Sequence, residues 1–169
     1  RSGRVRQAVG PDDRIAVVKG LARAALAPVT SRRIRAAMAD REVGYHAFNL
    51  HGFATLFRQK PEHPLWKSSG FARVLGFVHT PLFESSLSNR FGGPYNPVGF
   101  ETAYAAETFA GRAGLEAAAS GTWIARQLDR FYDGTTDLMT RNTSDPDTLA
   151  ARCYEVTRLE DPELEVGDR

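Results

Sequence analysis

The segment from Ser88 to Glu116, SNRFGGPYNPVGFETAYAAETFAGRAGLE, constrains this chain more than any other. Gly92-Gly93-Pro94 and Asn96-Pro97-Val98-Gly99 are turn clusters, because Gly tolerates positive φ and Pro fixes its own φ. No long helix or strand runs through them, so the chain has to be organised on either side. After the turns, Phe100 to Tyr104 is an apolar run that suits a short strand. From Ala106 to Phe131 an Ala-rich stretch carries Leu115, Ala119, Ile124, Leu128 and Phe131 on a broad apolar stripe, which predicts a helix pair or one helix weakened at Gly121. The order places a cation, Arg90, an aromatic hydroxyl, Tyr104, and an acid, Glu116, on one supersecondary unit. Such a set suits a phosphate-bearing ligand and chemistry on its sugar.

The flanks are mixed. Arg1 to Gly10 is a polar, basic arm. Pro11-Asp12-Asp13 starts a helix with its acids near the positive end of the dipole, and Pro28 ends it. Thr30 or Ser31 caps a second helix, Arg32 to Asp40. Tyr45-His46-Ala47-Phe48 begins a strand or an extended lead, and Pro61 and Pro64 mark a loop. Phe71 to His79, FARVLGFVH, is rich in β-formers and predicts a strand stopped at Thr80-Pro81. Pro146 opens a short helix to Ala151, and Cys153 to Thr157 alternates as a strand would. Helices and strands without a βαβ rhythm predict an α+β fold. Residues 1–42 form a helical arm and residues 43–169 the main domain.

Several chemistries are excluded by what is missing. There is no Walker-type loop, no Gly-x-Gly-x-x-Gly fingerprint and no Gly-x-Ser-x-Gly elbow. The histidines His46, His51, His63 and His79 lack zincin spacing, and a lone cysteine, Cys153, rules out an intrachain disulfide, so no metal site is expected. A net charge of +2, from 22 basic and 20 acidic residues, is too even for bulk nucleic-acid binding. No run is apolar enough to span a membrane. A reducing, cytoplasmic setting fits the single thiol.

The candidate site residues each have a plain alternative. Arg90 beside paired glycines suits a diphosphate, and is otherwise a solvated loop residue. Tyr104 is a site hydroxyl or a core aromatic. Glu116 lies among Ala113, Leu115, Ala117, Ala118 and Ala119, where an inward carboxylate costs several kcal/mol, by order of magnitude, unless paired; outward, it is merely solvated.

The ordered set Thr80-Pro81-Leu82-Phe83, Ser88-Asn89-Arg90-Phe91, Phe100-Glu101-Thr102-Ala103-Tyr104-Ala105-Ala106-Glu107-Thr108 and Glu116 resembles the RES-domain family. The likeness covers about Phe71 to Val156. It implies a bacterial toxin of a toxin-antitoxin system with an ADP-ribosyltransferase-like fold of small mixed or antiparallel sheets flanked by helices. The implied enzyme consumes NAD as substrate, by glycohydrolysis or by ADP-ribosyl transfer, in partnership with a cognate antitoxin and with a homo-oligomer left open. Carried over, Glu116, Tyr104 and Arg58 are catalytic, and Arg90, His46 and Asn96 bind the NAD. Arg58 takes the family's first Arg position; the alternative puts His46 there, as in His-Tyr-Glu transferases. The family's Ser lies beyond the matched segment, so a chain ending at Arg169 implies a shortened or divergent member. The competing expectation is a non-catalytic module whose Arg-rich N-terminal helices dock an acidic partner.

Overall fold

The computed structural model describes Gly3 and residues 32–159. The predicted helix after Pro11, the basic arm around it and the acidic tail from Asp161 lie outside these residues, Gly3 excepted. The described chain is helical: α1 Arg32–Gly44, α2 His46–Gln59, α3 Ser69–Gly76, α4 Pro81–Glu84, α5 Val98–Thr108, α6 Ala119–Phe131 and α7 Pro146–Ala151. Single 3₁₀ turns occupy Pro64–Lys67, Phe77–His79 and Ser85–Leu87, and a longer 3₁₀ run, Arg152–Arg158, follows α7. The only β pairing among the described residues is an isolated antiparallel bridge, Asp133 to Leu138.

The expected α+β fold with ADP-ribosyltransferase-like sheets is therefore corrected to an all-helical one. The segments predicted as strands explain why, and Tyr45 to Phe48, predicted to begin a strand or an extended lead, instead enters α2 at His46. Phe100 to Tyr104 lies inside α5, where every residue from Val98 to Ala106 is buried. A helix apolar all round shows no 3.6-residue period, and a short window of it cannot be told from a buried strand. Phe71 to His79 is α3 continued by a 3₁₀ turn, started by the Ser68 hydroxyl, which accepts from Phe71 N at 3.1 Å. Cys153 to Thr157 lies in the 3₁₀ run.

Pro64, read as a loop residue, and Pro81, read as a stop, are in fact starts, and Pro146 opens a helix as predicted. Pro64, Pro81 and Pro146 each sit in the first turn of a helical segment, behind the capping side chains of His63, Thr80 and Asp145. The missing N–H of Pro costs nothing there, and the cap satisfies a neighbouring donor.

α5 is the central element and packs between α2 and α6. Gly99 permits its close approach to α6: a Cβ there would lie 2.4 Å from the Trp123 carbonyl oxygen and 2.5 Å from Gln127 Cβ. Gly99 N donates instead to Gln127 Oε1 at 2.9 Å. On another side, Trp66, Phe71 and Phe109 stack edge-on or tilted, with centroids 5.0 Å (Trp66–Phe71) and 5.2 Å (Phe71–Phe109) apart. Such contacts add about 0.5–1.5 kcal/mol each beyond burial. Gly111 and Gly114, at φ of 78° and 81°, turn the chain between α5 and α6.

Candidate functional site

A helix with no exposed face has to satisfy any polar group it carries from within the protein. α5 carries Glu101, fully buried. The partner comes from the far end of the chain. Arg152 Nη2 donates to Glu101 Oε1 at 2.5 Å and to Glu155 Oε1 at 2.7 Å, and Arg152 Nε reaches the same Glu155 oxygen at 3.1 Å. Arg152 Nη1 donates to Asn96 Oδ1. Asn96 is itself fixed by the turns, its Nδ2 donating to the Phe91 carbonyl at 2.8 Å. One guanidinium thus ties together the turn cluster, the central helix and the C-terminal 3₁₀ run.

The spacing of the surrounding residues makes a face. In a 3₁₀ helix, residues three apart eclipse, so Arg152, Glu155 and Arg158 project together. On α2, Phe48, His51, Thr55 and Arg58 follow helical spacing, as do Glu101, Tyr104 and Thr108 on α5. Their contacts join these three stripes. Arg152 lies over the Phe48 ring at 5.1 Å, and Arg158 Nη1 is 3.4 Å from His51 Nε2. His51 packs on Tyr104 with ring centroids 5.0 Å apart. Arg58 lies over the Tyr104 ring at 4.5 Å and donates through Nε to Thr108 Oγ1 at 3.2 Å.

Burial tunes the titrating groups. Glu101 is pushed up to about 8, chiefly because desolvation penalises its charge, with Arg152 opposing and Glu155 adding to the rise. It therefore holds its proton at neutral pH. His51 is lowered, first by burial, with opposing and reinforcing fields from Glu155 and the arginines. A neutral His51 Nε2 accepts from Arg158. Glu101 Oε2 and Glu155 Oε2 are buried without a hydrogen-bond partner. Glu101 is closed to solvent, whereas the Arg152 side chain is 16% exposed. The carboxyls form the floor, and the partly exposed Arg152 side chain lies over it. At the edge, Phe48 and Tyr154 are exposed aromatic rings, Tyr154 beneath Arg158 at 5.6 Å.

The residues singled out from the sequence divide between this face and elsewhere. Tyr104 and Arg58 lie on it, and Asn96 anchors it through Arg152. Glu116 is exposed on the loop between α5 and α6. Arg90 is exposed, over the ring of its own neighbour Phe91 at 4.5 Å. Among the described residues, no hydrogen bond or ring contact joins Arg90, Tyr104 and Glu116. His46 is buried, its Nε2 donating to the Val74 carbonyl at 3.1 Å, with Phe77 and Phe83 rings at 4.7 and 5.6 Å. Glu101, Arg152, Glu155, Arg158 and His51 were missed. Two signals pointed to them: an acid inside the apolar run after Pro97, and the period-three Arg-x-x-Glu-x-x-Arg from Arg152.

No protein-family model matches the chain, and no solved structure matches it. The sequence is similar to archaeal glycosylation protein Q of Haloferax volcanii, 38% identical over 138 residues. The alignment covers 81% of this chain and 35% of the relative, so the chain spans about a third of the length of the curated relative it matches. This overturns the RES-toxin resemblance and, with it, the NAD-consuming, toxin-antitoxin reading. The relative is named for glycosylation, and the short motifs that carried the resemblance sit on α4 and α5 and in turns and loops, where their order sets up no sheet-borne NAD cleft. Among the described residues, no helix is long and apolar enough to cross a membrane.

Proposed function

We propose that this chain is part of a glycosylation-pathway protein and that the face built by α2, α5 and the 3₁₀ run is where it contacts sugar. The relative's name supplies the pathway, and the face supplies the chemistry. A sugar offers hydroxyls that both donate and accept, and C–H faces that lie against aromatic rings. Phe48 and Tyr154 supply the rings, and Arg152 and Arg158 supply N–H donors beside them. The observation that carries the reading is the immobilised Arg152, locked by Glu101, Glu155 and Asn96 while its side chain stays 16% exposed. A donor fixed before binding loses little freedom on binding. Glu101 acts here as a positioning residue: a neutral acid that accepts from Arg152 without adding a second full negative charge to the floor.

Binding of the folded chain to an array of neutral and acidic glycans tests this reading. Some glycans are expected to bind, and Phe48→Ala with Tyr154→Ala is expected to abolish that binding while circular dichroism stays helical. Undiminished binding in the double variant, or no glycan bound at all, overturns it.

A further inference from the structure

We infer that the ligand of this face carries a negative charge and that Arg58 and Arg158 recognise it; this rests on the sugar-contacting reading and names its ligand class. Three guanidiniums share the face, and they are not equivalent. Arg152 spends its donors on the neutral Glu101 and on an ion pair with Glu155. Among the described residues, Arg58 and Arg158 make no ion pair. Arg58 commits Nε to Thr108 Oγ1, and Arg158 commits Nη1 to His51 Nε2. A guanidinium has five N–H donors, so most of each fork is uncommitted.

Both forks are also held. Arg58 rests over Tyr104 at 4.5 Å and Arg158 over Tyr154 at 5.6 Å. Stacking orients the planar fork in advance, and a fork of that shape pairs two oxygens of a carboxylate or a phosphate. His51 stands between the two, touching Tyr104 on one side and Arg158 on the other. The two acids in the cluster, Glu101 and Glu155, are spent on Arg152 beneath, so the positive charge at the surface is left for the ligand. A neutral sugar meets the hydroxyl-binding needs of the face and leaves that charge unanswered. A uronic-acid sugar and a sugar phosphate both answer it with the same pair of oxygens.

Titrations of the 169-residue chain with methyl glucuronide, methyl glucoside and glucose 1-phosphate decide the matter. The glucuronide or the phosphate is expected to bind at least about tenfold more tightly than the glucoside, the equivalent of one charge-assisted contact. Arg58→Gln and Arg158→Gln are each expected to remove most of that preference, with the helical circular dichroism signal retained. A preference for the glucuronide identifies a carboxylate, and one for glucose 1-phosphate identifies a phosphate. Equal affinity for all three sugars overturns the charge inference and leaves the sugar-contacting reading standing. A preference that survives in both variants overturns the assignment to Arg58 and Arg158. No binding by any of the three overturns both, whereas binding of inorganic phosphate as tight as that of glucose 1-phosphate overturns the sugar-contacting reading.

Discussion

His46 and Glu101 are both fully buried, both uncharged at neutral pH, and buried for different ends. His46 sits among Phe77, Phe83 and the Val74 carbonyl, with its pKa pushed down to about 4 by burial. Glu101 sits on a guanidinium that continues through Arg152 to the surface, with its pKa pushed up to about 8. The first region is a closed core that tolerates one polar atom by pairing it. The second is a network with buried oxygens left unpaired and a charged group at its mouth. The contrast shows that burial alone does not mark a site; what marks it is a buried polar chain with an opening.

The largest expected effect breaks the second region and spares the first. Arg152→Met strands the Glu101 and Glu155 carboxyls, and is expected to cost about 3–5 kcal/mol in urea denaturation, the range for removing one partner of a buried ion pair. A loss below about 1 kcal/mol would show that the network is not closed in solution.

Acid tests the first region. The folded pKa of His46 lies below its unfolded value of 6.5, so the unfolded chain binds more protons between the two. Its contribution is present above pH 6.5 and is expected to fall by about 3 kcal/mol as pH drops toward 4. His46→Gln is expected to flatten that limb. Glu101 has the opposite sign: its folded pKa lies above its unfolded value of 4.5, so its contribution is present below that value and is lost as pH rises through about 8.

An intermediate effect concerns the helix contact that both regions share. Gly99→Ala places a Cβ against the Trp123 carbonyl and Gln127, and is expected to cost about 1–3 kcal/mol through overpacking. An unchanged denaturation midpoint would mean that α5 and α6 separate without penalty.

The smallest effect sharpens the comparison. Glu101→Gln keeps the shape and an acceptor for Arg152, and the native acid is already neutral at pH 6. The expected change there is below about 1 kcal/mol, with the alkaline limb of the stability profile flattened. A large loss at pH 6 would show that the charged form holds Arg152.

Parts of this were legible beforehand. The turns at Gly92 to Pro97, the apolar stripe through Ile124, Leu128 and Phe131, and the helix opened by Pro146 all follow local rules, and the structure has them. α5 was not legible as a helix, because tertiary burial on every side erases the period that sequence reading depends on. The site was half legible. Tyr104, Arg58 and Asn96 belong to it or support it, whereas the argument made for Glu116, that an acid among apolar residues needs a partner, applied to Glu101 fifteen positions earlier. Glu116 had a loop to point out from; Glu101 had only the core. Which of two such acids turns inward depends on Arg152, 51 positions away, and no local pattern encodes that meeting.

The 3₁₀ run that brings Arg152, Glu155 and Arg158 to the face is seven residues long, where such helices rarely exceed four. Its own hydrogen bonds are poor supports, so the side chains that enter the network hold it in place. The segment is therefore expected to act as a latch: its release would take Arg152, Arg158 and Glu155 away together and uncover Glu101. Its amide protons are expected to exchange with solvent sooner than those of α5, and a bound ligand is expected to slow them first, so that the timing of exchange at Glu155 and Arg158 reports occupancy of the face.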